Sequence, residues 1–132
     1  MNTPVNFEIA KLLKEKGFDE QLNYYYDSFG DIGSSKVKVN WNKSEDLLCS
    51  APTIAEVVMW LYEEHGIWVN IYPQRYINSK LNWSYYILKI EDGFVVDGLE
   101  FPEITNPTLI PTWSKNIEAY KAAIEYVLKE LI

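Results

Sequence analysis

The sequence predicts an α+β fold, in which a small antiparallel sheet of three to four strands packs against two or three helices. Three observations predict it: helix-forming patterns in separate parts of the chain, strand-like alternation after Gly66, and a hairpin turn at Asp92–Gly93. The chain has 132 residues, a length that suits one domain with one core. We therefore predict a single domain over residues 1–132.

The first helix is predicted near the N-terminus. Thr3 suits the N-cap position and Pro4 suits the first helical position. The apolar residues that follow recur at helical spacing and form one stripe: Val5, Ile9, Leu12 and Leu13. Gly17 suits the position just beyond the helix, where glycine readily adopts a left-handed conformation.

Residues 19–50 lack a strong period. The run NYYYDSFGDIGSSK mixes tyrosines with turn-forming residues, which predicts an irregular, partly packed segment. The stretch KVKVNW alternates, which predicts a short strand with Val37, Val39 and Trp41 on one face. Because its lysines discourage pairing with a further strand, we expect it at the edge of a sheet.

The second helix has the strongest start pattern in the chain. Thr53 and Glu56 form a predicted capping box, in which each side chain accepts a hydrogen bond from the backbone of the other. Gly66 ends the helix, and the residues after it alternate as in a strand, which Pro73 is expected to stop. The two faces of this strand carry Ile67, Val69 and Ile71 on one side and Trp68, Asn70 and Tyr72 on the other.

Two further strands complete a predicted three-stranded meander from Ile67 to Asp97. Residues 83–90 form the second strand, Asp92–Gly93 the turn, and FVVDG the returning strand. Residues 99–113 contain three prolines, which predicts a loop that crosses the domain. Ser114 then suits the cap of a last helix. Its apolar stripe consists of Ile117, Tyr120, Ile124, Val127, Leu128 and Leu131.

One face of the predicted sheet is left in question. The second and last helices cover one face, and either residues 19–50 cover the other or it is open to a partner. Aromatic residues flank the strands, and such rings anchor protein interfaces and bind sugars or bases. The competing explanation is that a thin sheet fills its core with large rings. The candidate binding residues are Trp68, Tyr72, Trp83, Tyr86 and Asp97.

The only cysteine and the only histidine do not predict a catalytic pair. Nucleophilic catalysis places thiol and base about 3 Å apart, whereas the predicted helix between Cys49 and His65 is roughly 18 Å long. We therefore assign no catalytic residue, and we interpret Cys49 as a small buried apolar residue. One cysteine and one histidine also argue against a zinc site. No motif predicts a cofactor.

The net charge of −7 opposes binding to phosphate backbones and to anionic membranes. We therefore expect neither nucleic acid nor a membrane as partner, whereas a protein partner or a second copy of this chain stays open. No window reaches the ~18 consecutive apolar residues of a membrane span. The N-terminus lacks a signal-peptide pattern and a single cysteine cannot form an internal disulfide, so a cytoplasmic location is expected.

Two stretches, APTIAEVVMWLYEEHGIWV and EAYKAAIEYVLKELI, resemble a group of short, uncharacterised proteins encoded by gut anaerobes, often in their prophages and mobile elements. The matching residues are Trp60, Leu61, Glu63, His65, Ile67 and Val69, and then Glu118 to Ile132. The resemblance concerns a buried helix, its exit into a strand and a closing helix. It implies an accessory role in a cell or phage and supplies no catalytic residue.

The sequence therefore predicts a small, non-enzymatic domain that binds another protein. The alternative is a binder of a sugar or nucleotide-like ligand, or a weak hydrolase, that uses an aromatic cleft near Trp68, Tyr86 and Asp97. An acidic protein could also imitate nucleic acid toward a basic protein, an idea that rests on charge alone. A pocket with converging polar groups would favour the ligand alternative, and a filled sheet face would argue against it.

Overall fold

The computed structural model describes residues 2–44, 47–75, 81–100 and 112–132, with the side chains of residues 74–75 and 97–100 excepted. Within these ranges it contains three α-helices and two three-stranded antiparallel sheets, so the predicted α+β class is confirmed. The helices are α1 (Phe7–Glu15), α2 (Ile54–His65) and α3 (Asn116–Tyr126). The strands are β1 (Leu22–Tyr26), β2 (Ile32–Val39), β3 (Cys49–Ser50), β4 (Ile67–Arg75), β5 (Leu81–Glu91) and β6 (Phe94–Glu100).

The first sheet corrects the prediction of an irregular segment for the run NYYYDSFGDIGSSK, residues 23–36. Its strand order is β2-β1-β3, and β1 and β2 form a hairpin. The turn-forming residues close this hairpin: the Asp27 carboxylate accepts hydrogen bonds from the N–H groups of Phe29 and Asp31, at 2.9 and 3.0 Å. Gly30 adopts a positive φ of 83° in the same turn. The residues that predicted irregular structure therefore connect two strands.

The predicted edge strand is present, but the face predicted for it is wrong. β2 lies at the edge of the first sheet, as expected. The register between β1 and β2 shifts after Leu22, so that residues 35–38 of β2 face Asn23 alone. This bulge ends the alternation and leaves Val37 67% exposed. Trp41 lies beyond the strand, in a 3-10 turn.

The first helix begins at Phe7, so the predicted cap at Thr3 is wrong. The extended residues before the helix pair with the segment that leads into α2, through a β-bridge between Pro4 and Thr53. Asn6 caps the helix instead, because its side chain accepts a hydrogen bond from the backbone at 2.9 Å. Pairing between distant segments thus overrides a local capping preference.

The second helix begins and ends as predicted. The N–H of Glu56 donates to the Thr53 hydroxyl at 3.3 Å, and the N–H of Thr53 donates to the Glu56 carboxylate at 2.7 Å. Gly66 follows the helix with a left-handed φ of 65°. Its carbonyl accepts a hydrogen bond from the N–H of Ile90 at 2.7 Å, so the end of α2 lies directly against β5.

The second sheet is the predicted meander, with strand order β4-β5-β6. Asp92 and Gly93 both have positive φ, as the predicted hairpin turn requires. Pro73 does not stop β4, which continues to Arg75. The reason is that β4 is an edge strand, and an edge strand tolerates a residue without a backbone N–H.

The loop predicted over residues 99–113 is shorter than expected at both ends. β6 continues to Glu100. Trp113 pairs with Trp83 of β5 through two hydrogen bonds of 2.8 Å, so it rejoins the second sheet. The remainder of the predicted loop, residues 101–111, lies outside the described residues.

The helices α2 and α3 pack on one face of the second sheet, as predicted. The sheet buries Val69, Tyr85 and Ile87 against them. On the helical side, α3 and the π-helical turn Val127–Leu131 that extends it bury Ile124, Val127 and Leu128. Ser114 does not cap α3, because the N-cap position is Lys115, which makes no side-chain capping bond.

The first sheet packs around α1. The Tyr26 hydroxyl donates to the carbonyl of Val5 at 2.7 Å, and the rings of Tyr26 and Phe7 lie 5.5 Å apart. Strands β1, β2 and β3 thus form a sheet of their own beside α1, and in the part of the chain that the structure describes this sheet is separate from β4–β6. In the described ranges, no helix has the length and apolar composition that crossing a membrane requires.

Replacing Gly66 with alanine is expected to destabilise the fold by more than about 2 kcal/mol. A Cβ at this position would collide with the carbonyl oxygen of Ile90, and the positive φ is itself unfavourable for alanine. Gly17→Ala is the matched control, because its φ is also positive but nothing lies within 4 Å of the added Cβ. For that variant we expect a loss of about 1 kcal/mol from backbone strain alone. Urea unfolding measures both, and equal losses would contradict the importance of the Gly66–Ile90 approach.

Candidate functional site

Three of the predicted binding residues share one face of the second sheet. In the register of β4 and β5, Trp68 pairs with Leu88, Asn70 with Tyr86, and Tyr72 follows on the same side. The residues between them point to α2 and α3 and are mostly buried, because side chains alternate along a strand. We call the outward set the aromatic face, and it consists of Trp68, Asn70, Tyr72, Tyr86 and Leu88, together with Ser84, which pairs with Tyr72 and is fully buried.

The three rings of this face take part in two close pairs, one of which includes Tyr62 of α2. The centroids of Tyr72 and Tyr86 lie 5.8 Å apart. Trp68 meets Tyr62 of α2 edge to face, at 5.7 Å and an interplanar angle of 86°. Tyr62 is 40% exposed, and the three rings on the sheet are half-buried. The contact between Tyr62 and Trp68 therefore joins the outer side of α2 to the aromatic face, and part of each ring stays accessible.

The other two predicted binding residues, Trp83 and Asp97, are placed differently. By the alternation of β5, Trp83 lies on the same side as the buried Tyr85. It pairs with Trp113, whose ring stacks on Tyr85 at 5.4 Å. The backbone of Asp97 pairs with that of Lys89, and the Asp97 side chain lies outside the described residues. The structure thus brings together Trp68, Tyr72 and Tyr86, without Trp83.

The outer side of α2 adds an apolar surface that the sequence pattern did not identify. Met59 and Tyr62 are neighbours on the helix surface and are 44% and 40% exposed. Their spacing of three residues is visible in the sequence. Their exposure is not, because it depends on which side of α2 packs against the sheet.

Carboxylates lie beside this apolar pair. Glu56 lies three residues before Met59 and Glu63 lies four residues after it, so both share its side of α2. Glu63 is exposed and Glu56 is half-buried. Glu20, between α1 and β1, lies close to them, and its pKa is raised, first by burial and then by repulsion from nearby carboxylates. These carboxylates are Glu63, Glu56, Asp19 and Glu64.

No ion pair within the described residues neutralises this group. The side-chain ion pairs there are Lys11–Glu8, Lys89–Glu91 and Lys129–Glu125. None includes Glu20, Glu56 or Glu63. The exposed side of α2 therefore combines apolar side chains with carboxylates that repel one another.

Cys49 and His65 occupy separate environments. Cys49 lies in β3 and is 4% exposed. Burial raises the pKa of its thiol, an effect that the charges of Lys14 and Lys11 only partly offset, so the thiol is protonated at neutral pH. His65 packs edge-on against Trp60, with ring centroids 4.8 Å apart. Cys49 precedes the 12-residue helix α2 and His65 is its last residue, and the arrangement does not supply an activated nucleophile.

Two cavities lie away from the aromatic face. One, of about 250 Å³, lies between α3 and β5 and is lined by Tyr85, Ala122, Glu125, Tyr126, Lys129 and Glu130. The other, of about 270 Å³, lies beside the first sheet and is lined by Asn2, Pro4, Tyr24, Ile32, Ala51 and Thr53. Neither lining includes a predicted binding residue. In the part of the chain that the structure describes, no three His, Cys, Asp or Glu side chains are grouped to hold a metal ion.

No family model, no curated protein and no solved structure matches this chain. The functional proposal is therefore based on the sequence and on the geometry of the aromatic face.

The Cys49 thiol is expected to react with the reagent DTNB at least about a hundredfold more slowly in the folded protein than in guanidinium chloride. It is buried, and burial keeps it in the unreactive protonated form. Absorbance of the released thiolate measures the rate, and the unfolded chain is the internal reference. A native rate close to the unfolded rate would show an accessible thiol and reopen the case for a catalytic cysteine.

Glu20→Gln is expected to be more stable than the natural protein at pH 7. Because the folded state raises the pKa of Glu20, it binds the proton more tightly than the unfolded chain does. Ionising Glu20 therefore lowers stability as the pH rises above the ordinary carboxyl value of about 4.3. Thermal unfolding at several pH values should show a gain at pH 7 that fades toward pH 4. A gain that is the same at every pH would contradict a raised pKa of Glu20.

Proposed function

We propose that this protein is a small, non-enzymatic domain that binds another protein through the aromatic face. The observation that carries the proposal is that four rings remain partly accessible on one continuous surface: Tyr62, Trp68, Tyr72 and Tyr86. Tyrosine and tryptophan are enriched at protein interfaces because they combine a large apolar ring with a polar tip. A sheet also holds the rings in place, so little side-chain freedom is lost on binding.

The accessible area of the rings sets the strength of the complex. If about a tenth to two fifths of roughly 200 Å² per ring is accessible, burying it contributes about 0.5–2 kcal/mol per ring. Four rings then contribute about 2–8 kcal/mol, whereas association itself costs roughly 4–15 kcal/mol. The aromatic face alone would give a weak, short-lived complex, so a tight one needs further contacts.

The environment of the reactive residues supports the non-enzymatic part of the proposal. The Cys49 thiol is buried and protonated, and His65 packs on Trp60. The alternative of a sugar or nucleotide-like ligand would use the same rings. A protein partner is favoured because the two described cavities have other linings, whereas the rings lie on a sheet face.

We propose that the protein acts in the cytoplasm, as an accessory protein of a cell, a phage or a mobile element. The single cysteine supports a reducing compartment, and the net charge of −7 argues against nucleic acid and anionic membranes as partners. The resemblance carried by Trp60–Val69 and Glu118–Ile132 supports the accessory role. The genes beside its own would test this setting, because a phage-related protein should lie among phage or mobile-element genes.

A photo-crosslinking residue, p-benzoylphenylalanine, in place of Tyr72 is expected to form a protein adduct when producing cells are irradiated. The matched control carries the same residue in place of Tyr24, which is 52% exposed on the first sheet. An adduct is read as a mass-shifted band and identified by mass spectrometry. When the irradiation is repeated in a lysate, excess wild-type protein added beforehand should suppress the adduct.

Adducts of equal yield at both positions, or at neither, would contradict binding through the aromatic face. Thermal-shift screening with sugars and nucleotides completes the comparison. Stabilisation by one of them, without a protein adduct at Tyr72, would favour the small-ligand alternative.

A further inference from the structure

We infer that the partner presents a basic amphipathic segment, and that this segment docks on the outer side of α2. The inference rests on the proposed function and names the chemistry of the partner. The docking surface consists of Met59 and Tyr62, with Glu56, Glu63 and Glu20 along one side. We call it the acid-rimmed stripe, and it adjoins the aromatic face through the ring contact of Tyr62.

The apolar half of the stripe follows the spacing of a helix face. Ala55, Met59 and Tyr62 lie at i, i+4 and i+7, so they line up on one side of α2. The opposite side of the helix is buried in the core through Val57, Trp60 and Leu61. Met59 and Tyr62 lie on the other side of the helix and remain 44% and 40% exposed, and this exposed area is available to a partner.

The acidic half determines the charge of that partner. Glu63 and the half-buried Glu56 lie on the side of α2 that carries Met59. The charges of both carboxylates act on Glu20, whose pKa is raised by burial first and by these neighbours second. Within the described residues no lysine or arginine pairs with them. They are also not grouped as metal ligands in the described part of the chain. A lysine- or arginine-bearing segment would relieve the repulsion, and its apolar side would cover Met59 and Tyr62.

A second copy of this chain is the competing occupant. Copies that each carry a charge of −7 repel one another. The lysines of α1 and its C-cap are already engaged, since Lys11 pairs with Glu8, and Lys14 and Lys16 donate to backbone carbonyls. Among the described residues of the first sheet, exposed lysines lie beside an exposed apolar residue only at the bulge of β2. These residues are Lys36, Val37 and Lys38. We therefore favour a different, basic protein.

The two halves have different functions in binding. Contact between apolar surfaces is short-ranged and slows dissociation. Surface charges act over about 8–10 Å at moderate salt, so they speed association and select partners by sign. An acid-rimmed stripe should therefore discriminate strongly between basic and acidic segments that have the same apolar side.

The experiment uses the full chain and two fluorescein-labelled model peptides. Both are designed as amphipathic helices with an identical leucine face, and their polar faces carry only lysine or only glutamate. Fluorescence anisotropy measures binding at low and at high sodium chloride. The lysine peptide should bind at micromolar concentration and weaken several-fold at high salt, whereas the glutamate peptide should not bind.

Two double variants with equal charge changes locate the site. Glu20→Gln with Glu63→Gln should weaken binding of the lysine peptide at least about fivefold, because Glu63 shares the side of α2 with Met59 and Glu20 lies close to Glu63. Glu118→Gln with Glu130→Gln removes two exposed carboxylates from the C-terminal helical segment and should change binding less than about twofold. Tyr62→Ser should weaken binding without removing its salt dependence.

Several outcomes would overturn the inference. Equal effects of the two double variants would mean that only the net charge attracts the peptide, and absence of binding would exclude the basic segment. Self-association in sedimentation that Lys36→Gln with Lys38→Gln abolishes would assign the surface to a second copy. The Tyr72 adduct can also be tested in the double variant Glu20→Gln with Glu63→Gln, and in a lysate at high salt. If the adduct persists in both cases, the proposed function stands and this inference fails. If lysine-peptide binding maps to the stripe but Tyr72 yields no adduct, the proposed function fails instead.

Discussion

The left-handed turn at Gly66 fixes how the second helix meets the second sheet. The carbonyl of Gly66 accepts a hydrogen bond from the N–H of Ile90 at 2.7 Å, so β4 starts against β5 without an intervening loop. The first residue of the strand, Ile67, then points to the helices, and alternation sends Trp68 to the other side. A shift of one residue would exchange the two faces, placing Trp68 in the core and Val69 in water. Both the core and the aromatic face therefore depend on this junction.

Features set by neighbouring residues could be predicted from the sequence. The capping box of Thr53 and Glu56 and the turn at Asp92–Gly93 each involve residues within a few positions of one another. The alternation after Gly66 was enough to place Trp68 and Tyr72 on one face. In each case the backbone conformation and the residue preference agree, and tertiary contacts reinforce the local choice.

Features set by distant residues could not be predicted. The bridge between Pro4 and Thr53 removes the expected start of the first helix, although the local pattern for that start was good. The tyrosine-rich segment forms a hairpin that pairs with β3 and packs on Phe7 of α1, and its local sequence pattern shows neither contact. The acid-rimmed stripe has the same origin: Glu20 reaches the exposed side of α2 only because the chain folds back from α1 into β1. A sequence pattern records residue types, but not which distant groups meet.

The rings and the carboxylates together favour a partner that is selected by charge and held by apolar contact. A surface ion pair contributes only about 0–1 kcal/mol, so the carboxylates add little to the strength of a complex. A partly exposed ring contributes about 0.5–2 kcal/mol whatever the charge of its partner, so the rings add little to selectivity. Because Tyr62 of the acid-rimmed stripe contacts Trp68 of the aromatic face, a segment that the carboxylates attract arrives beside the rings that can retain it. Such an arrangement gives fast association and modest affinity, and the complex would dissociate readily when salt or a competing anion screens the attraction.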